Sequence, residues 1–369
     1  MALSPKLWLS SRLYPLTPVF SFLRPFPSPI DKIVLLLLAA VLMALMIAPR
    51  RVIWMAAFAL LLLLAMQDQS RWQPWFYQYV MMLAAIALAG RQRQQAALHT
   101  CCLIIAAIYI WSGLGKLNPS FATEVFPWFV EPFVRLGVTP SPWVVRDLSI
   151  LSPLLECAAG VGLLFARSRK VALLAAIAMH VLILMVLGPW GRNFNVVIWP
   201  WNVAMIAFLL ILFRDRHATP LDIVWGRAFP FQKIALLAFG ILPAFGLFNL
   251  WDDYLSSAMY TGNVNSAVIY LTDDAFEQLP QAIQNQVYEE GPDRSSLKIN
   301  DWSFDELNVP AYPQIRILQN AARRVCAGVS NGAGIELTIQ RKSTPFRGTR
   351  RDSYGCAGLL ATGRPSGPA

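Results

Sequence analysis

Residues Val171–Leu187 read VALLAAIAMHVLILMVL, with His180 as the only ionisable side chain in the run. An α-helix rises about 1.5 Å per residue, so about 20 apolar residues cross the hydrocarbon core of a bilayer. The whole chain has 369 residues, of which 56% are hydrophobic and only 14% charged, outside the usual range for soluble globular proteins. The sequence therefore predicts an integral membrane protein.

Apolar runs of similar length recur along the chain as far as Leu250. They predict an all-α polytopic membrane bundle of about eight transmembrane helices. The predicted spans are Ile33–Ala48, Val52–Met66, Trp75–Gly90, Ala96–Leu114, Leu148–Ala166, Val171–Leu187, Val196–Phe213 and Ile234–Leu250.

The composition changes after Trp251, where acidic, amide and hydroxyl side chains become frequent and no further spanning run occurs. We predict a membrane domain over residues 31–250, a small soluble α+β domain over 251–360 and a disordered tail over 361–369. The elements predicted for the soluble domain are strands at Ala267–Leu271 and Ile335–Ile339 and helices at Asp274–Tyr288 and Pro313–Val325.

Residues 1–30 differ from a signal peptide, because Arg12 and six prolines interrupt any apolar run and no small-residue cleavage site follows. We predict an interfacial segment, with an amphipathic surface helix around Leu7–Tyr14 and a proline-rich entry to the first span. A ninth, distorted span is the alternative interpretation.

Basic residues cluster in alternate short connections, whereas tryptophans crowd the remaining ones. This bias predicts a bacterial inner-membrane protein whose C-terminal domain lies in the periplasm. The basic N-terminal segment favours a cytoplasmic N-terminus. With the C-terminal domain in the periplasm, this location would require an odd number of spans, so the side of the N-terminus stays open. The basic connections contain Arg50 and Arg51, Arg91 and Arg93, Arg167, Arg169 and Lys170, then Arg214, Arg216, Arg227 and Lys233.

Two of the five cysteines, Cys326 and Cys356, lie in the predicted soluble domain. An oxidising periplasm would allow them to form a disulfide, and we expect this bond. Two unpaired structural thiols are the alternative interpretation.

The distribution of positive charge and the absence of several catalytic motifs argue against some classes of protein. The net charge is +10, yet Trp251–Ala369 holds 11 basic and 13 acidic residues, so the positive excess belongs to the membrane part. There it is divided among short loops and forms no continuous basic face, which argues against nucleic-acid binding. The chain contains no HExxH, GxSxG, Walker or CxxC motif, and we expect no metal site.

Ionisable side chains within membrane spans are rare, and each is a candidate site residue. Lys116 ends the fourth span, Glu156 lies in the fifth and His180 in the sixth, at depths that bring all three toward the outer half of the bundle. We predict these three as catalytic residues. The alternatives are a Lys116 that snorkels to the interface, a Glu156 that binds neighbouring helices, and a His180 that makes an interhelical hydrogen bond.

The run GPWGRNFN at residues 188–195 follows the sixth span and is unusually polar and aromatic. It predicts a binding site for a lipid headgroup, a quinone ring or an anion. A turn anchored by tryptophan is the alternative interpretation. The predicted cofactor-binding residues are Trp190, Arg192, Asn193 and Asn195.

The runs SGLGKLNP at residues 112–119 and ECAAGVGLLF at 156–165, followed by Arg169 and His180, resemble the HTTM family. This family comprises the membrane domains of vitamin K-dependent γ-carboxylase-like proteins, and the resemblance covers roughly residues 96–213. The Gly-x-Lys-Leu-Asn-Pro core is also similar to the DoxX and MauE group of small membrane proteins. That group is associated with quinol oxidation and with the maturation of redox proteins.

The HTTM resemblance implies that Lys116 is the base that deprotonates reduced vitamin K, with Glu156 and His180 tuning it. The sequence departs from the carboxylase motif, which has a pair of lysines where this chain has Gly115 and Lys116. The soluble domain is also far smaller than the lumenal region of the carboxylase.

Two hypotheses follow from these observations. The first is a quinone- or lipid-linked membrane enzyme with a Lys, Glu and His site near the outer leaflet. The second is a non-catalytic DoxX/MauE-like assembly or redox-maturation factor with an extracytoplasmic protein partner. Membrane lipids are expected partners in both cases, and quinone is the expected cofactor of the first.

Overall fold

A computed structural model describes residues 1–214, 218–226 and 229–361. Arg216, Arg227 and the predicted disordered tail beyond residue 361 lie outside the described residues. The predicted domain boundaries stay predictions. The chain forms two compact units, one of Ala44–Phe58 and Pro74–Asn263, the other of Met1–Met43, Ala59–Gln73 and Val264–Ala369.

Apolar helices occupy the positions of all eight predicted spans, but they differ in length. Within the described ranges, four of them (α2, α5, α7 and α8, as bounded below) are long and apolar enough to cross a membrane, and four are shorter. The chain is therefore mostly helical with four candidate spans, and the predicted total of eight is not confirmed. In chain order the helices are α1 (Pro5–Trp8), α2 (Ile30–Ile47), α3 (Arg51–Met66), α4 (Pro74–Ala89), α5 (Gln94–Gly115), α6 (Phe126–Arg135), α7 (Pro142–Leu164), α8 (Arg169–Leu187), α9 (Ile198–Phe213), α10 (Pro220–Val224), α11 (Pro230–Ala235) and α12 (Leu242–Gly246).

The local sequence explains why some apolar helices are short. Helix α4 begins at Pro74 and is followed by Gly90, whose φ of +61° lies in the left-handed region. The last apolar helix is irregular, because a π-helical segment, Leu236–Ile241, separates α11 from α12. Pro243 follows this segment and lacks the backbone N–H that a regular helix needs.

Helix α5 lies at the centre of the helical unit. Of its most apolar 18 residues 72% are buried, compared with 28% in α7 and 33% in α8. Helix α5 packs on α4 and α7, and α8 packs on α7 and α9. Helix α5 is thus enclosed mainly by other helices and positions the helices around it, whereas α7 and α8 leave most of their apolar surface uncovered by the protein.

The second unit contains a five-stranded antiparallel sheet in the order β2-β3-β1-β4-β5. Burial alternates along β1 and β4, where Ile269 pairs with Leu337 and both side chains are fully buried. This alternation is the period of a sheet with one covered face. The strands are β1 (Ser266–Leu271), β2 (Tyr288–Gly291), β3 (Arg294–Lys298), β4 (Ile335–Arg341) and β5 (Arg350–Gly355).

The predicted strands and the Pro313–Val325 helix of this unit are confirmed, but the predicted helix at Asp274–Tyr288 is wrong. Pro280 interrupts this segment, since proline has no N–H to continue a helical ladder, and its last residue begins β2. The helices of the unit are α13 (Asp273–Glu277), α14 (Gln281–Gln284), α15 (Ile299–Leu307), α16 (Ile315–Cys326) and α17 (Cys356–Ala361). Of these, α15 and α16 pack on β1.

The predicted N-terminal helix around Leu7–Tyr14 is also wrong, because the structure has only the single turn α1. The Arg12 guanidinium explains this difference. It donates to the carbonyl oxygens of Leu7, Tyr14 and Pro15 and forms an ion pair with Asp68. These bonds hold the segment in an irregular conformation, in which its carbonyl groups bind a side chain instead of a helical N–H.

Candidate functional site in the helical unit

Two glycines let α5 and α7 approach closely. A Cβ atom at Gly113 would lie 2.6 Å from the Pro153 carbonyl oxygen, and one at Gly160 would lie 2.7 Å from that of Ala106. Real Cβ atoms do not approach backbone atoms so closely. The glycines therefore permit this spacing, as small residues do at helix interfaces in membranes.

The close approach places Lys116, directly after α5, against Glu156 of α7. Lys116 Nζ lies 2.9 Å from Glu156 Oε1, 2.7 Å from Glu156 Oε2 and 2.7 Å from Ser112 Oγ. Three acceptors match the three N–H donors of an ammonium group. The two charged side chains are only 14% and 10% exposed, so the ion pair is largely removed from solvent.

His180 of α8 forms a separate hydrogen-bonded chain with α5 and α9. Its Nε2 lies 2.6 Å from the Tyr109 hydroxyl, and its Nδ1 lies 2.7 Å from Asn202 Oδ1. All three side chains are buried. The hydrogen bonds fix the imidazole ring between two helices, which agrees with the interhelical interpretation of His180.

Both groups of side chains line one cavity of about 80 Å³. Its polar lining consists of Tyr109, Ser112, Lys116, Glu156, His180, Asn202, Ser257 and Tyr260, and methionine, isoleucine and aromatic side chains form most of the rest. A largely apolar cavity with a few convergent polar groups is the usual form of a small-molecule site. The structure thus brings the three predicted catalytic residues to one cavity, while their roles stay predictions.

The predicted cofactor-binding residues at 188–195 lie elsewhere in the same unit. The Arg192 guanidinium donates to the Trp128 carbonyl oxygen, lies 4.1 Å from the centroid of the Trp128 ring and pairs with Glu131. The hydrogen bonds from Arg135 and Arg192 lower the pKa of Glu131 below its ordinary value. Arg192 therefore already has an anionic partner.

The neighbours of Arg192 form a turn. Asn193 and Asn195 have φ values of 49° and 51°, in the left-handed region that asparagine tolerates well. Asn195 donates to the Tyr260 hydroxyl at 2.9 Å, and Trp190 is 92% exposed. A quinone- or headgroup-binding role for these residues stays a prediction.

Sequence reasoning missed Ser112, Tyr109 and Asn202 as members of the site. Ser112 and Tyr109 lie four and seven residues before Lys116, on one side of α5, so helical periodicity would have found them. Asn202 is a polar residue within the apolar run that forms α9, and a polar residue in such a run is the sequence signal that would have found it.

We expect Gly160→Ala to separate α5 from α7 and to lower the free energy of unfolding by about 1–3 kcal/mol, the usual cost of overpacking a tight contact. Gly113→Ala should act similarly, because the added methyl group meets the backbone of α7. Thermal unfolding of the purified full-length protein in detergent measures the loss. Gly358→Ala is the matched control, since its Cβ meets no atom within 4 Å. A Gly160→Ala protein as stable as the wild type contradicts the prediction.

Comparison with known proteins gives one family match. Residues 94–196 match the model of the family described as methylamine utilisation protein MauE. The matched segment contains Lys116, Glu156 and His180. No curated protein and no solved structure matches the chain.

The match favours the DoxX/MauE resemblance over the HTTM resemblance. It adds no support for a carboxylase-like activity. Together with the long apolar helices, it identifies the chain as a membrane protein that is MauE-like over residues 94–196.

Proposed function

We propose that this protein is a MauE-like membrane factor for the maturation of an extracytoplasmic redox protein, and that its C-terminal domain faces the periplasm. The family match over residues 94–196 carries this proposal, because the matched segment contains the buried ion pair and the cavity's Tyr109 and His180. The disulfide between Cys326 and Cys356 supports the periplasmic location, since such bonds form in oxidising compartments.

In this proposal the disulfide stabilises the C-terminal domain and does not exchange with other proteins. Cys326 and Cys356 are 1% and 2% exposed, so a thiolate from another protein has no access to the sulfur atoms. Thiol exchange requires direct attack on sulfur. We therefore assign the C-terminal domain to partner binding and not to disulfide transfer.

A chromosomal deletion tests the proposal. We expect loss of the gene to lower the amount of at least one mature redox protein in the periplasm, measured by quantitative proteomics with thiol labelling. Expression of the wild-type chain should restore it. The proposal is wrong if the periplasmic redox proteins keep their amounts and their thiol oxidation states in the deletion strain.

The cavity favours a second candidate, a membrane enzyme that acts on a quinone- or lipid-like molecule. Its lining combines an ion pair with a phenol and an imidazole, which are groups suited to proton transfer. Conservative variants discriminate the two candidates. If Lys116→Met, Glu156→Gln and His180→Gln reach the membrane and restore the deletion strain, whereas removal of Val264–Ala369, which leaves every cavity residue in place, prevents restoration, the enzyme hypothesis fails.

A further inference from the structure

Asn202 determines which nitrogen of His180 carries the proton. The Asn202 side-chain amide donates through Nδ2 to the Ile198 carbonyl oxygen at 2.8 Å, so its Oδ1 faces His180 Nδ1 at 2.7 Å. An amide oxygen can only accept a hydrogen bond, and Nδ1 must therefore be protonated. The other partner of the buried imidazole is a phenol and not a carboxylate, so the ring is neutral and Nε2 carries a lone pair.

The proton of Tyr109 follows from this assignment. The Tyr109 hydroxyl lies 2.6 Å from His180 Nε2, and it must donate because Nε2 has no proton. A phenol has a single proton, so the Tyr109 oxygen keeps only lone pairs for other partners. Within the described part of the chain, no other group is hydrogen-bonded to this oxygen.

The hydroxyl groups of Ser112 and Tyr260 also line the cavity, and each accepts a hydrogen bond, from Lys116 and Asn195 respectively, and keeps its own proton to donate. The three N–H groups of Lys116 are directed at Ser112 and Glu156, and the charges of Lys116 and Glu156 cancel. A neutral hydroxyl group, which can donate to Tyr109 and accept from these hydroxyls, therefore fits the cavity better than an ion does. A cavity needs roughly 10–15 Å³ of accessible volume to hold one water molecule, so about 80 Å³ is enough for one functional group.

We propose that Tyr109 binds the hydroxyl group of a neutral amphiphilic molecule and transfers its proton, with His180 and Asn202 as positioning residues. The ligand O–H bond breaks as its proton passes to the Tyr109 oxygen, and the Tyr109 proton passes to His180 Nε2. His180 becomes an imidazolium that still donates to Asn202, and the ligand becomes an oxyanion in the cavity that also holds the Lys116 ammonium. No electrons are exchanged. The proposal rests on the second candidate function.

The histidine tautomer is the first test. The chain has three histidines, so ¹⁵N-histidine labelling of the full-length protein in nanodiscs gives few signals, and His180→Gln identifies those of His180. We expect the Nδ1–H tautomer at His180. Asn202→Asp should keep Nδ1 protonated, because a carboxylate also accepts from it, and should favour a second proton on Nε2, whereas Asn202→Leu should lose the preference for a proton on Nδ1. An Nε2–H tautomer in the wild-type protein overturns the proposal.

Ligand binding is the second test, with 1-octanol as the probe and octyl methyl ether as the matched control that cannot donate. A hydroxyl that donates to Tyr109 strengthens the bond from Tyr109 to His180, because hydrogen bonds in a chain polarise one another. We expect 1-octanol to shift the Nε2 resonance in the wild type and not in Tyr109→Phe, and the ether to have no effect. Equal shifts with both probes, or none with 1-octanol, overturn the proposal.

Complementation of the deletion strain by Tyr109→Phe tests the second candidate function separately. Loss of complementation together with the expected resonances supports the proton transfer. Full complementation would leave hydroxyl binding in place and would overturn both the proton transfer and the enzyme hypothesis.

Discussion

Lys116→Met lowers the free energy of unfolding by about 3–5 kcal/mol, the expected cost of leaving a buried charge without its partner. Methionine retains the unbranched stem of lysine, so the change removes the ammonium group with little loss of packing. The carboxylate of Glu156 then has no hydrogen-bond donor among the described residues, because Lys116 Nζ donates to both of its oxygens and no other described group does. Glu156→Leu should destabilise the protein to a similar extent, since it leaves the Lys116 ammonium group without a carboxylate partner.

The double variant Lys116→Met/Glu156→Leu should lose much less stability than the two single changes added together. Neither charge is then unpaired, and apolar replacements of buried ion pairs are often nearly neutral. Denaturant unfolding of the four proteins in detergent measures the coupling. Arg146→Met is the control, because its ion pair with Asp147 is exposed and should contribute only about 0–1 kcal/mol.

Comparing the stability of these variants with their ability to complement the deletion strain shows whether the ion pair serves stability alone or also the function of the cavity. If the double variant is stable but does not complement the deletion strain, the charges serve the function of the cavity. If the double variant complements fully, the ion pair only holds α5 and α7 together. A single-variant loss below about 1 kcal/mol contradicts the buried ion pair itself.

The sequence could predict the apolar helices and the approach of Lys116 to Glu156, for specific physical reasons. Long apolar runs have few alternatives to helix in a membrane, where each backbone polar group needs an internal partner. Consecutive antiparallel spans bring the end of one helix beside the start of the next. Topology therefore predicts that Lys116 and Glu156 approach each other, while the rotation of the two helices decides that they pair.

Partners that are distant in sequence could not be predicted. Arg192 pairs with Glu131, which lies 61 residues earlier, and the choice of this carboxylate depends on how α6 lies beside the turn after α8. Asn202 reaches His180 only because α8 and α9 pack together in a particular rotation. Hydrophobic periodicity shows which residues are buried, but it does not show which polar groups meet.

Strand β2 of the second unit could not be predicted from the sequence either. All four residues of β2 are exposed, so no alternation of apolar and polar residues indicates a strand there. The local sequence therefore did not exclude the helix that was predicted at Asp274–Tyr288. Strand β2 exists because β3 pairs with it, and this tertiary contact overrides the local preference.

Loss of the disulfide between Cys326 and Cys356 is expected to have the other large effect on stability. Replacement of both Cys326 and Cys356 by alanine should lower the free energy of unfolding by about 3–4 kcal/mol, because the bond closes a loop with a sequence separation of 30 and restricts the unfolded chain. Thermal unfolding in the presence and absence of a reductant measures this loss. The reductant should destabilise the wild type and leave the double variant unchanged, although Cys101, Cys102 and Cys157 remain in both proteins.

The same bond tests the side of the membrane on which the C-terminal domain lies. In growing cells treated with a thiol-alkylating reagent and then denatured, Cys326 and Cys356 should react only after reduction, because glutathione and thioredoxin keep cytoplasmic thiols reduced and the periplasm does not. Both sulfur atoms are buried, so denaturation before a second alkylation step is needed to distinguish a bond from mere inaccessibility. Two free thiols after denaturation would overturn the periplasmic location, and with it the proposal that this domain binds an extracytoplasmic partner.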